Sequence, residues 1–252
     1  MNNATMDKMR EMKLHGMLRA FREGLDGRTM ESLTVDEFLA HLVDAEWDDR
    51  YNKSLARLRK KAGFRYNARV EEIDISPGRN IDKNTLHRLA SCSWIEKNEN
   101  LIITGVTGSG KSFMACAIGH AACMRKFKVK YVNCLKLFSH LKISKADGSY
   151  GREMKNLAKM DLLILDDFGL KHLDADSRLF MLEFLEDRYG LKSTVVSSQI
   201  PVAKWFDIIG DPTIADGICD RLIHNAHSIN LKGNSMRKKK QNNSGQNLPP
   251  EN

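Results

Sequence analysis

Residues 105–112 read Gly-Val-Thr-Gly-Ser-Gly-Lys-Ser. They match the phosphate-binding loop pattern G-x-x-x-x-G-K-[ST] at every position. The run Leu101-Ile102-Ile103-Thr104 before them reads as a buried strand, and Phe113 to Met124 after them reads as a helix. Strand, glycine loop and helix in that order turn the string into a site. Gly105, Gly108 and Gly110 let successive N–H groups turn inward toward a phosphate chain. Val106, Thr107 and Ser109 complete the cradle, and Phe113 follows in the first helical turn. The positive end of that helix adds to the attraction. Lys111 would reach the β- and γ-phosphates of a nucleotide, and Ser112 would ligate Mg²⁺. The plain alternative is a glycine-rich turn beside a lysine, and the flanking strand and helix argue against it.

A second stretch lies downstream. Residues 162–167, Leu-Leu-Ile-Leu-Asp-Asp, are an aliphatic run ending in two acids. A strand buried on both faces of a parallel sheet reads this way, and ligands bind at the C-terminal ends of such strands. This is the form of a Walker B strand. Asp166 is expected to hold Mg²⁺, directly or through water, and Asp167 to position or deprotonate the attacking water. Two acids after a strand also suit a helix cap or a turn. Their place downstream of a phosphate-binding loop favours the catalytic reading.

The chain has 252 residues, enough for one P-loop domain and a small accessory domain. Its hydrophobic content of 42% supplies a sizeable core, and no apolar run reaches the length of a membrane span. The N-terminus lacks a charged-then-apolar leader, so the protein is expected to be cytoplasmic and to have no membrane partner. Cys92, Cys116, Cys123, Cys134 and Cys219 form no C-x-x-C pair, which fits free thiols in a reducing compartment. The net charge of +8 is uneven: eight basic and no acidic residues lie between Arg50 and Val70, and Arg237-Lys238-Lys239-Lys240 form a second cluster. Such a bias suits a polyanionic partner, although a charge run is also what a solvated face looks like.

Apolar positions Met6, Met9, Leu14, Met17, Leu18, Phe21 and Leu25 share one helical face. After a break at Asp26-Gly27-Arg28, Thr34 and Glu37 have capping-box spacing. The helix they start would turn Phe38, Leu39, Leu42, Val43 and Trp47 inward, run on or restart into the basic stretch, and stop at Gly63. Its Arg50–Lys61 face suits solvent or phosphates equally. Residues 1–66 are therefore expected as an all-helical N-terminal domain. Residues 67–96 follow as a linker with a short helix at Asn84–Trp94. Residues 97–236 form the P-loop domain, and 237–252 a basic, disordered tail. Within the P-loop domain strands are expected at 101–104, 129–133, 162–166, 194–198 and 228–231. Helices are expected at 111–125, 135–145, 152–159, 176–189 and 214–223. The alternation implies an α/β fold, a five-stranded parallel sheet flanked by helices.

Two later positions narrow the class. The strand at 194–198 leads into Gln199, at the place of sensor 1 in AAA+ ATPases, between the P-loop and the Walker B strand. Arg221, on the helix before the last strand, stands where an AAA+ arginine finger reaches a neighbouring subunit's nucleotide. The bland readings are a polar strand end and an intrachain pair of Arg221 with Asp220 or Asp216.

With these residues the chain resembles the IstB-like transposition helper ATPases, relatives of the helicase loader DnaC and the initiator DnaA. The resemblance also rests on Ser-Ser-Gln-Ile-Pro-Val-Ala-Lys-Trp, Asp-Pro-Thr-Ile-Ala-Asp-Gly-Ile-Cys-Asp-Arg-Leu and the closing Gly-Asn-Ser-Met-Arg-Lys. It covers nearly the whole chain. It implies an AAA+ fold that binds ATP with Mg²⁺, a homo-oligomer with ATP at subunit junctions, assembly on duplex DNA, and a cognate transposase as partner. It implies DNA-coupled ATP hydrolysis in which Lys111, Asp167, Gln199 and Arg221 act. It also places the helices near 135–159 toward DNA, which makes Lys136, Lys142, Lys145, Arg152 and Lys155 candidates for phosphate contacts beside Arg57, Lys60 and Lys61. About 20 residues follow the last strand, too few for a helical lid, so Arg237 either replaces the sensor 2 arginine or begins the tail. A DnaC-like helicase loader acting on single-stranded DNA is the nearest alternative. A small-molecule P-loop kinase and a nucleotide-gated module without turnover are further ones.

Overall fold

The structure is a computed structural model and describes residues 2–27 and 33–233. The closing segment from Asn234, with the Arg237–Lys240 cluster, lies outside the described residues. The chain divides into two compact units, residues 1–57 and 58–252. The division falls inside one helix, whereas the sequence suggested a boundary near residue 66.

The larger unit is built on five parallel strands: β1 (Asn100–Gly105), β2 (Val129–Asn133), β3 (Leu162–Phe168), β4 (Ser193–Ser198) and β5 (Ala226–Leu231), in the order β2-β3-β4-β1-β5. All five were expected, each within about two residues. They are legible because strands buried on both faces carry unbroken aliphatics: Leu101–Ile103 and Leu162–Leu165 are shielded from solvent. One face packs against α6 (Lys111–Met124), α4 (Lys83–Ala90) and α5 (Ser93–Glu96). The other packs against α7 (Cys134–Ala146), α8 (Tyr150–Ala158), α9 (Ala175–Glu186), α10 (Trp205–Ile209) and α11 (Pro212–Ile223). The helix expected at Asn84–Trp94 is thus two pieces, because Cys92 adopts a left-handed φ of 57° between them.

Side-chain caps start α4, α7, α9 and α11. Asp82, Asn133, Asp174 and Asp211 each accept a hydrogen bond from an amide in the first turn, a contribution of about 1 kcal/mol per cap. Residues 58–70 lie along α6. A Cβ on Gly119 would stand 2.5 Å from the Phe64 ring, so glycine is what lets that ring seat. Ala62, Ala68, Leu86 and Leu89 are buried in the same core as the sheet, so the expected linker is packed structure. All five cysteines are free and buried, and burial pushes the Cys116 thiol up to about 11.

The smaller unit contains α1 (Asn2–Glu11), α2 (His15–Asp26) and most of α3 (Val35–Ala62). The periodicity over 6–25 suggested one helix; Lys13 takes a left-handed φ of 58° and breaks it. The start of α2 rests on Glu46, which accepts the amides of Gly16 at 2.8 Å and Met17 at 3.2 Å. Burial alone would raise this carboxyl's pKa. Arg50 and the two amides outweigh burial and hold it down. The capping box is formed, with the Glu37 amide on Thr34 Oγ1 and the Thr34 amide on Glu37 Oε2. α3 runs on without a restart and ends at Gly63, φ 71°. One expectation fails. Leu42 is buried, but Leu39, Val43 and Trp47 are 57%, 50% and 67% exposed. Their i, i+4 spacing forms a second stripe beside the one that meets the core, and apolar spacing alone does not say which stripe is covered. Among the described residues no helix is long and apolar enough to cross a membrane.

Candidate nucleotide site

Parallel pairing brings every candidate strand end to one edge of the sheet. Asn133 is in register with Asp166, Ile103 with Ser197 and Thr104 with Ser198. Beyond β1, Gly105, Gly108 and Gly110 take φ values of 146°, 79° and 94°, conformations that favour glycine. A Cβ on Gly105 would also lie 2.3 Å from the Leu231 carbonyl oxygen. The loop therefore turns through these three glycines and opens α6 at Lys111. Lys111 Nζ donates to the carbonyls of Gly105 at 2.8 Å and Val106 at 3.0 Å. Ser109 Oγ is buried with no partner. Thr107 Oγ1 donates to Gln199 Oε1, so Gln199, just past β4, touches the loop. Val106 is exposed, and the Phe113 ring lies 6.1 Å from Tyr66.

Asp166 is wholly buried. It accepts from Ser112 Oγ at 2.9 Å, from Ser197 Oγ and from the Tyr131 hydroxyl. Ser112 and Asp166 together present the hard oxygens that Mg²⁺ prefers, and Mg²⁺ is commonly held by one or two protein oxygens plus substrate phosphates. Among the described residues no set of three or more His, Cys, Asp or Glu could form an all-protein cage. The donor set and the glycine conformations of the loop fit a Mg²⁺-nucleotide.

Asp167 adopts a left-handed φ of 59° at the irregularity where β3 slips against β4. Strain of this kind is kept where the surroundings over-determine it. Here the Asp167 amide donates to Ser197 Oγ at 3.3 Å, and its carboxylate accepts from Asn133 Nδ2 at 3.0 Å. Burial first, and Asp166 second, raise the Asp167 pKa against the pull of Arg65, Lys111 and Asn133. Its protonated form is thus more accessible than that of an ordinary aspartate, a property that suits proton transfer. Arg65 Nη1 lies 3.6 Å from Asp167 Oδ2 and 4.0 Å from Asp166 Oδ2. Arg79 donates to the Ser109 carbonyl and, at 3.1 Å, to that of Lys232, which ties the loop to the end of β5.

Arg221 lies on α11, away from its own P-loop. It pairs with Glu186, donates to the Gly217 carbonyl at 2.8 Å, and stands 5.9 Å from the Tyr189 ring centre. The intrachain partner is thus Glu186 and neither Asp216 nor Asp220. A pocket of about 290 Å³ beside it is lined by Asn98, Asn100, Tyr189 and His224. Among the basic candidates, Lys142 pairs with Asp174, Lys145 with Asp176 at 3.4 Å, and Arg152 with Glu153 at 3.7 Å. Arg57, Lys60, Lys61, Lys136 and Lys155 are exposed.

The polar end of β4, Ser197-Ser198-Gln199, is where the sequence places a group between the two motifs, and Ser197 meets both acids there; Arg65, Arg79, Tyr131 and Asn133 are not singled out by the sequence. Of these four, Asn133 carries a local signal, as the last residue of a strand beside the Walker B strand.

Residues 7–244 match the family described as IstB-like ATP binding protein. The chain belongs to that family. It is 43% identical over 234 residues to the insertion sequence ATP-binding protein y4pL of Sinorhizobium fredii, covering 93% of this chain and 96% of that protein. It is 41% identical over 202 residues to the ATP-binding protein of insertion sequence IS1162 from Pseudomonas fluorescens, covering 80% and 87%. In fold, this IstB-like protein is similar to the DnaC helicase loader, with a TM-score of 0.55, 19% identity, and coverage of 66% and 98%. It is also similar to AMPPCP-bound DnaA from Aquifex aeolicus, with a TM-score of 0.57, 19% identity, and coverage of 75% and 58%. These two place the larger unit in the AAA+ fold.

Proposed function

We propose that this IstB-like protein is a DNA-coupled ATPase of a transposition system, which assembles on duplex target DNA and hands it to a transposase. The observation that carries the reading is the convergence, at one sheet edge, of a glycine loop, the Ser112–Asp166 pair and the strained Asp167. Family membership supplies ATP as the nucleotide and an insertion sequence as the setting.

In this reading the loop amides from Gly105 to Ser112 and the Lys111 ammonium, drawn off the carbonyls it now meets, hold the β- and γ-phosphates. Ser112 and Asp166 hold Mg²⁺. When bound, Mg²⁺ neutralises charge that builds on the phosphate oxygens. Asp167 orients the attacking water and receives its proton, with Asn133 fixing the carboxylate. Gln199, held by Thr107, lies beside the same phosphates. Arg221 leaves Glu186 to enter the ATP site of a second copy and stabilises charge in the transition state. That release is cheap, because a partly exposed pair contributes about 0–1 kcal/mol. ATP thereby favours the oligomer, and hydrolysis resets it.

On the DNA side, Arg57, Lys60, Lys61, Lys136 and Lys155 present exposed charge. Lys142, Lys145 and Arg152 exchange weak surface partners for phosphates. Several such contacts make affinity fall steeply with salt. The test is sedimentation of the full chain with duplex DNA and a non-hydrolysable ATP analogue, beside Lys111→Ala. The reading expects large ATP-dependent, salt-sensitive assemblies that the variant does not form. Assemblies indifferent to nucleotide and to Lys111→Ala would refute it.

A further inference from the structure

Arg65 enters the nucleotide site from a part of the chain that carries no nucleotide motif. It follows the end of α3 by three residues, after the turn at Gly63. The segment around it is fixed on α6. The Phe64 and His120 rings are 4.2 Å apart, and Tyr66 packs near Phe113. Arg59 Nε donates to His120 Nδ1 at 3.0 Å, which makes His120 Nε2 the donor to the Tyr66 carbonyl at 3.2 Å. Held on both sides in this way, Arg65 reaches the acids at the end of β3. Its 3.6 Å and 4.0 Å separations from Asp167 and Asp166 are ion-pair distances, longer than direct hydrogen bonds. Its side chain is 44% exposed. The pair is close enough to neutralise the acids and loose enough to part. Lys111 also acts on Asp167, and the phosphate loop already claims it.

We infer that Arg65 is a positioning residue that competes with Mg²⁺ for the Asp166–Asp167 pair, balancing the acids in the metal-free state and giving them up on Mg²⁺ binding. This rests on the ATP–Mg²⁺ reading of the site. A guanidinium and a divalent cation repel each other and draw on the same carboxylates, so each weakens the hold of the other. Since Asp166 also accepts from Ser112, Ser197 and Tyr131, it keeps its orientation when Arg65 leaves. The release has a second consequence. The segment carrying Arg65 is the direct continuation of α3, so metal-nucleotide loading loosens a tie at the exit of that helix.

The test uses the full chain as wild type, Arg65→Gln and Arg65→Lys, with a fluorescent ATP analogue and Mg²⁺ titrated from a chelated start. Arg65→Gln is expected to reach half-saturation at roughly three- to tenfold lower Mg²⁺, and Arg65→Lys to stay near wild type. Hydrogen exchange over residues 58–70 gives a readout independent of turnover. It should rise in the wild type on adding Mg²⁺ and ATP, and be high in Arg65→Gln from the start. An unchanged Mg²⁺ requirement in Arg65→Gln overturns the inference. So does an increased one, which would make Arg65 a phosphate ligand. Wild-type exchange indifferent to Mg²⁺ and ATP overturns it without any variant. Failure of the wild type to bind the analogue at all sinks the nucleotide reading instead.

Discussion

Replacing Tyr131 by phenylalanine removes one oxygen from β2 and leaves the buried ring in place. That oxygen donates to Asp166, which is fully buried and has two further hydroxyl donors, Ser112 and Ser197. A hydrogen bond to a charged group contributes about 1.5–3 kcal/mol. Asp166 keeps two donors and the nearby Arg65 charge, so it is not orphaned, and the cost falls at the low end, about 1.5 kcal/mol. At about 2–4 °C per kcal/mol for a unit of this size, Tyr131→Phe should melt about 3–6 °C below wild type. Burial first, and Asp166 next, push the phenol pKa up. The hydroxyl therefore stays protonated through the neutral and mildly alkaline range, and the melting-point shift should be the same across that range. Nucleotide-free thermal unfolding followed by calorimetry measures it. A melting point within about 1 °C of wild type would show that the Tyr131–Asp166 bond contributes nothing net, and would refute the ordering assigned to the acid.

Asp167→Asn should bind ATP with wild-type affinity and lose at least about 100-fold in turnover, since general base action contributes about 10²–10⁴-fold; equilibrium binding and steady-state phosphate release separate the two effects. Arg221→Ala should spare ATP binding and cut turnover by about 10³-fold, within the range for arginine fingers; unimpaired turnover would remove the subunit-junction site. For His120, burial lowers the pKa most; the Tyr66 carbonyl opposes this, and Arg59 adds to the lowering. The native state thus favours the neutral ring. Its stabilisation is complete above the unfolded value of about 6.5 and is lost as pH falls below it, by at most about 1.4 kcal/mol per pH unit. Denaturant titrations at pH 7.5 and 5.5 should show a loss that His120→Gln diminishes; an equal loss in both would assign it to other groups.

The parts of this molecule legible in its sequence are those whose physics is local. A buried parallel strand must be aliphatic throughout, and a phosphate loop must be rich in glycine, so Leu101–Ser112 and Leu162–Asp167 declare themselves. Capping boxes act over three residues, and Thr34–Glu37 forms as read. What stayed hidden depends on distant packing. Arg65 and Tyr131 come to Asp166 from other elements, and no spacing rule reports that meeting. Arg221 finds Glu186, 35 positions away, in place of its chain neighbours. α3 carries two apolar stripes, and periodicity could not tell the covered one from the stripe of Leu39, Val43 and Trp47. The left-handed Asp167 was invisible because the slip between β3 and β4 that imposes it belongs to the sheet.

In the function proposed above, ATP on the P-loop switches this protein onto duplex DNA. Fluorescence anisotropy with labelled duplex and single-stranded DNA of arbitrary sequence, at near-physiological salt, with ATP, ADP or no nucleotide, tests it most directly. Tight duplex binding is expected with ATP alone and should be lost in Lys111→Ala. Preference for single strands would point to a helicase loader, and binding to neither form in any nucleotide state would rule out the DNA switch.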